Sequence, residues 1–194
     1  MSAPKEWKRV RPGLPADYGI LTIREDTVAD PRNGAEHPRV IIESTDWVNI
    51  IPVTVHDEVV LVRQFRFGIW ANSLEIPGGM VDLGESPAHA AVRELKEETG
   101  YVPGRVIPLG FVHPNPAMQT NRCYTYLALG CHLAGETTLD AGEDIEVVLR
   151  PRKEIPELLR SEEITHSLVV VAFHKERLYW DAELSEKPWR PSGE

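Results

Sequence analysis

The stretch from Ser86 to Gly100 constrains this chain more than any other, because it reads as one complete helix with both of its ends marked. Ser86 can accept a hydrogen bond from the N–H groups that a first turn leaves over, and Pro87 suits the first helical position. Gly100 suits the left-handed residue that stops a helix. On a helical wheel Ala88, Ala91, Val92 and Leu95 share a face that would pack against a sheet. Glu94 and Glu98 are four apart and stack on a neighbouring face, with Glu97 adjacent to both.

Three carboxylates on one strip, toward the negative end of the helix dipole, disfavour an isolated helix by roughly a few tenths of a kcal/mol per pair. A helix shaped for stability alone would not carry them there. An acidic run is ordinarily a solvated face. Here Gly78-Gly79 brings backbone close to the same region, and Glu85 precedes the helix where it can pair with Arg93. A divalent cation removes the conflict. Hard oxygen ligands, completed by water and substrate phosphate, describe a magnesium site.

The rest of the chain supplies a framework. Residues through about Asp17 read as an arm rich in Pro, Lys and Arg. Gly19 to Val28 suits a strand, Asp30-Pro31-Arg32-Asn33-Gly34 a turn, and Val40 to Glu43 a returning strand. Val48–Val55 and Val59–Phe65 predict a second hairpin, and Ile76-Pro77-Gly78-Gly79 a tight glycine-permitted loop. Further strands are expected at Val106–Val112, Tyr124–Leu133 and Ile145–Leu149, and helices at Lys153–Arg160 and Thr165–Arg177. Mixed elements without strict alternation predict an α+β fold, an α/β/α sandwich, over a doubly wound sheet. Three segments follow: an arm and β-hairpin at 1–45, the main domain at 46–180, and a tail at 181–194.

Composition excludes several partners. A formal net charge of −9 argues against a broad nucleic-acid footprint, which needs clustered Lys and Arg. The longest apolar run, Leu168–Phe173, is too short to span a bilayer, and the first residues hold no signal-peptide core. Cys123 and Cys131 fit no metal-ligand spacing and read as reduced thiols, which points to the cytoplasm. His89 and His113 belong to no ligand constellation.

The segment Gly79–Tyr101, GMVDLGESPAHAAVRELKEETGY, resembles the signature box of the Nudix hydrolase family. Gly79, Glu85, Arg93, Glu94, Leu95, Glu97, Glu98 and Gly100 match its defining positions, and Tyr101 stands where an aliphatic residue is usual. The resemblance implies a mixed sheet between helices and magnesium as cofactor, with manganese as the alternative. It implies Glu94 and Glu98 as the main metal ligands, Glu97 in support, the Gly78 carbonyl as a further ligand, and Glu85–Arg93 as a structural ion pair. The reaction implied is hydrolysis of a pyrophosphate bond in a small-molecule nucleotide derivative.

The flanks LVRQFRFG and LEIPGG, together with Pro116 and AGEDIEVV, resemble the branch acting on ADP-ribose and nucleoside diphosphate sugars. The N-terminal hairpin is similar to the small sheet with which that branch builds a homodimer. One departure stands out: HPNPAMQTNRCYTYLA carries Gln119 and Asn121 where many ADP-ribose hydrolases place a glutamate. Glu143 is therefore the expected general base, ahead of Asp144 and Glu146, and acts with Glu97 and Glu98. Arg63, Arg66 and Arg122 are candidates for gripping phosphate or sugar, since a guanidinium fork pairs with phosphate at two points. Trp47 and Trp70 are candidates for stacking on the base, against the ordinary alternative of core packing. Two other readings are hydrolysis of nucleoside triphosphates or dinucleotides, and a sensing module that binds without cutting. Retention of Glu94, Glu97 and Glu98 argues against the second.

Overall fold

The computed structural model describes residues 3–185 and 189–190, so part of the expected tail at 181–194 lies outside the described residues. The chain divides into two compact units, one comprising the residues up to Thr45 with His113–Arg122, the other Asp46–Val112 with the residues from Cys123 onward.

The first unit is a four-stranded antiparallel sheet of β1 (Lys8–Arg11), β2 (Ala16–Asp17), β3 (Leu21–Ala29) and β4 (Glu36–Ser44). β4 runs the whole length of β3, from Leu21 opposite Ser44 to Ala29 opposite Glu36. The turn between them is built as the sequence suggests: Asp30 accepts the Arg32 N–H at 2.8 Å, and Gly34 takes a φ of 76°. β1 and β2 share the other edge of β3, and this corrects the reading of the first residues as an arm. An unpaired strand edge offers a row of donors and acceptors that any extended neighbour can complete. On β4, Ile42 donates to Met118 O at 2.8 Å and accepts from Thr120 N–H at 3.1 Å, which joins the His113–Arg122 segment to this unit.

The second unit is an eight-stranded mixed sheet with helices on both faces, the α+β sandwich expected. Its strands are β5 (Trp47–Thr54), β6 (Glu58–Arg66), β7 (Ala71–Glu75), β8 (Gly78–Met80), β9 (Tyr101–Val102), β10 (Arg105–Val112), β11 (Cys123–Leu133) and β12 (Ile145–Pro151). Its helices are α1 (Pro87–Thr99), α2 (Ile155–Arg160) and α3 (Ser167–Leu184). The central order is β10-β11-β5-β6-β12, with β11 parallel to β5. Alternate residues of the central strands feed two cores. Val48, Ile50, Tyr126 and Ala128 meet Ala90, Ala91 and Leu95 of α1. Ile51, Val53 and Leu127 meet Val169, Ala172 and Phe173 of α3. Burial on both faces explains why β5 is mostly apolar, with Val48, Ile50, Ile51 and Val53 all buried.

Three local differences from the sequence reading bear on the site. β5 and β6 pair at Val53–Val59 and then part, β5 taking β8 as its neighbour and β6 taking β7, the extended segment that leads into Ile76. Gly78 and Gly79 lie in β8 without positive φ, so they do not form the expected tight loop. The valine-rich segment is helical and continues to Leu184, burying Val169, Ala172, Phe173, Glu176 and Tyr179 at three- and four-residue spacing. Among the described residues no helix is long and apolar enough to cross a membrane.

Candidate active site

Local chemistry sets α1 in place. The Ser86 side chain accepts the His89 N–H at 3.3 Å, and Gly100, at φ 75°, donates to Lys96 O at 2.8 Å. The buried face holds Ala90, Ala91 and Leu95 together with Glu98 and Thr99, while Val92 is only half-buried. Glu94 and Glu98 continue the line begun by Ala90, so the carboxylates turn inward with the apolar stripe. Glu98 is 3% exposed, which rules out a solvated face for it.

β8 supplies the opposing wall. Gly78 donates its N–H to Glu98 Oε2 at 3.1 Å. A Cβ on Gly78 would stand 2.3 Å from the Val48 carbonyl oxygen, and one on Gly79 would stand 2.4 Å from Glu94 Oε1. Both glycines are needed for close approach: one lets β8 seat on β5, and the other leaves room for the Glu94 carboxylate.

Arg93 organises the strip. It donates to Glu85 at 3.1 and 3.0 Å, to Glu94 and Glu97 at 2.9 Å each, and to the Met80 carbonyl at 3.1 Å. Its guanidinium thus ties the loop before α1 to the helix, and it is stabilised in its charged form chiefly by Glu85. Among the described residues Glu98 makes no ion pair of this kind. Burial, then the charge of Glu94, pushes its carboxyl up to about 8. Burial also raises Glu94, despite Arg93.

These residues line a cleft of about 280 Å³. Its carboxylates are Asp82, Glu94, Glu97, Glu98, Asp140 and Glu143, set against two guanidiniums, Arg66 and Arg93. The wall beyond α1 is the loop before β12. Thr138 donates its N–H to Glu97 O at 2.8 Å and so fastens that loop to the helix. Glu143 Oε2 accepts from the Asp140 N–H at 2.9 Å. Opposite, Arg66 at the end of β6 makes a two-point pair with the buried Glu75, at 2.9 and 2.6 Å.

The other candidates fall elsewhere. Arg63 is outside the lining and pairs with Glu146 at 2.9 Å, as alternation along β6 and β12 requires. Trp47 is half-buried opposite Met80, and Arg122 belongs to the other unit. Trp70 is 75% exposed, clustered edge-on with Phe65 and Phe67, so core packing does not hold for it. Asp144 is exposed and outside the lining. The sequence reading missed Gln64, Asp82, Thr138 and Asp140 as lining residues. Gln64 carried a signal, since it lies two positions from Arg66 on one strand face. The others come from loops, where no period guides the eye.

The donor set suits a hard divalent cation: carboxylate oxygens, that of Glu98 buried, in a cleft of excess negative charge. Among the described residues, no three His, Cys, Asp or Glu side chains converge as a metal-binding group, and Arg93 engages both Glu94 and Glu97. A cation would share or displace that contact.

An acidic cleft on a capped helix, seated against a sheet between helices, defines the class, and comparison with known proteins agrees. The NUDIX domain profile matches residues 45–170, and the chain belongs to the Nudix family. It is a pyrophosphohydrolase acting on a nucleotide-derived substrate. An ADP-ribose pyrophosphatase of Bacillus subtilis (strain 168) is 29% identical over 133 residues, 68% of this chain and 72% of that protein. A methanol dehydrogenase activator of Bacillus methanolicus is 28% identical over 154 residues, 79% of this chain and 83% of the relative. The crystal structure of an ADP compounds hydrolase shares the fold, with a TM-score of 0.82 at 21% identity over 94% of this chain and 98% of that one.

Proposed function

We propose that this enzyme hydrolyses the pyrophosphate bond of ADP-ribose or a nucleoside diphosphate sugar, giving a nucleoside monophosphate and a sugar phosphate. The observation that carries the reading is the buried Glu98 carboxylate, held against the Gly78 N–H beside Glu94 in a cleft that Arg66 also enters. Similarity to an ADP-ribose pyrophosphatase over most of the chain supports the substrate class.

In this reading Glu94 and Glu98, with Glu97 and the Gly78 carbonyl, hold magnesium, for which manganese can substitute. A metal held by these residues would supply charge neutralisation for the phosphates and would make water easier to deprotonate. Arg93 keeps Glu94 and Glu97 aligned on the cleft side of α1. Glu143, braced by the Asp140 N–H, accepts a proton as the attacking water forms its oxygen–phosphorus bond. The bridging oxygen leaves with the second phosphate. Arg66 offers its guanidinium to the same phosphates. We further assign the N-terminal sheet to homodimer formation and the segment 46–180 to catalysis, in a cytoplasmic enzyme.

The test is turnover of a panel with magnesium: ADP-ribose, several nucleoside diphosphate sugars, dinucleotides and nucleoside triphosphates, with products identified. Preferential release of a nucleoside monophosphate and a sugar phosphate is expected. Preference for triphosphates or dinucleotides would overturn the substrate class. Absence of turnover with every member would reject the whole reading.

A further inference from the structure

Arg66 and Glu75 pair although the sheet does not set them opposite each other. In the β6–β7 register Glu75 stands opposite Val62, whereas Arg66 stands opposite Ala71. Four strand positions separate Arg66 from the residue that faces Glu75, roughly 13 Å of backbone at the ordinary strand rise. The two side chains therefore lie lengthwise on the sheet to meet, one running back from the strand end. Arg66 had a cheaper option, since a side chain at a hairpin end can extend into water.

The contact is also one-sided. Arg66 uses Nε and Nη2 on the two Glu75 oxygens, which leaves Nη1 for the cleft that Arg66 lines. Glu75 is 3% exposed and does not line the cleft itself. Burial alone would push its carboxyl up, yet it is held below its ordinary value by the Arg66 pair, with His166 and the Ser73 hydroxyl also favouring the charge. A carboxylate fixed from behind, gripping the back of an arginine fork, sets the plane and reach of the remaining edge.

We infer that Glu75 is a positioning residue that acts through Arg66, aiming the free edge of its guanidinium at a diphosphate group in the cleft. The inference rests on the reading of this cleft as the phosphate site, but not on which sugar or base the substrate carries. A plain brace of the β6–β7 hairpin would give the same pair without affecting ligands, so the test must separate the two.

Binding of inorganic pyrophosphate with magnesium, measured by calorimetry, does so independently of turnover. Wild type is compared with Arg66→Ala, Glu75→Gln and the double variant, with thermal unfolding followed for each. A charged hydrogen bond to phosphate is worth roughly ten- to hundredfold in affinity, and Arg66→Ala should lose that. Glu75→Gln should lose most of the same factor, and in the Arg66→Ala background it should lose nothing more. Glu75→Asp, which keeps the charge but retracts it by one methylene, gives the same comparison should Glu75→Gln unfold. Full pyrophosphate affinity in a folded Glu75 variant, or equal losses with and without Arg66, would overturn the inference. So would undiminished binding by Arg66→Ala, even if wild type hydrolyses diphosphate sugars as proposed. Failure of wild type to bind pyrophosphate overturns it too, and the substrate panel then says separately whether the hydrolase reading survives.

Discussion

Glu98→Gln separates the cost of a buried charge from its use. Gln keeps an oxygen to accept the Gly78 N–H, now 3.1 Å from Glu98 Oε2, and removes only the ionisation. In the wild type the folded carboxyl titrates at about 8, against an ordinary value of 4.5. The native state therefore binds more protons than the unfolded chain between those values. The stability this group contributes is fully present below about pH 4.5 and is lost progressively as pH rises to 8. At 1.36 kcal/mol per unit, the wild type falls behind a non-titrating Gln by about 1 kcal/mol at pH 5 and about 3 kcal/mol at pH 7. Urea unfolding of both proteins in EDTA at pH 5, 6 and 7 should thus show the gap in favour of Glu98→Gln widening by about 2–3 kcal/mol. Magnesium at a thousand times its Kd should reverse the order even at pH 7, because it adds about 4.1 kcal/mol to the protein that binds it. The more stable variant should have lost metal-dependent turnover. A gap that stays constant from pH 5 to 7 in EDTA would refute the burial argument, and normal turnover would refute the metal assignment.

Other outcomes follow from the same geometry. Gly79→Ala sets a methyl 2.4 Å from Glu94 Oε1 and must push that carboxylate aside; a displacement near 1 Å should cost roughly a hundredfold in kcat/KM with little change in Tm, and unaltered kinetics would count against Glu94 as a ligand. Glu143→Gln should lower kcat by roughly 10²–10⁴ while leaving substrate affinity near normal, as loss of a general base does; an unchanged rate removes Glu143 from that role. Magnesium binding should release about 0.9 proton at pH 7 and about 0.1 at pH 9, since the metal displaces the proton held by Glu98; calorimetry in buffers of differing ionisation enthalpy reads this directly, and a buffer-independent heat at pH 7 contradicts it.

Much of the fold could be read from local rules. The two ends of α1 are set by Ser86, Pro87 and Gly100 within one turn of each terminus, and the alignment of Glu94 with Glu98 follows from 3.6 residues per turn. The Asp30–Gly34 turn and the apolar run of β5 are likewise short-range facts. Where the reading fell short, strand pairing was decisive. Lys8–Arg11 becomes a strand because the edge of β3 awaits it, and Ala71–Glu75 because β6 parts from β5. Gly78 and Gly79 do bring backbone close to the acidic helix, as their sequence suggests, but from within β8, against Val48 and Glu94, rather than through a tight loop.

The same division runs through the site. Spacing alone put three carboxylates on one strip, next to an arginine able to pair with a loop glutamate, because helical geometry reaches four residues at most. Whether those charges stand in water or in a cleft depends on what covers the helix, and that is a property of the whole sheet. Packing of α1 on β5 and β8 buries Glu98 while Arg93 is drawn to Glu85, Glu94 and Glu97. Tertiary structure likewise sent Arg63 to Glu146, laid Arg66 along the sheet onto Glu75, and left Trp70 exposed. A residue's type and its near neighbours determine what it can bind. Its distance from water and its facing charges, which decide what it does bind, arise only when segments far apart in the chain are brought together.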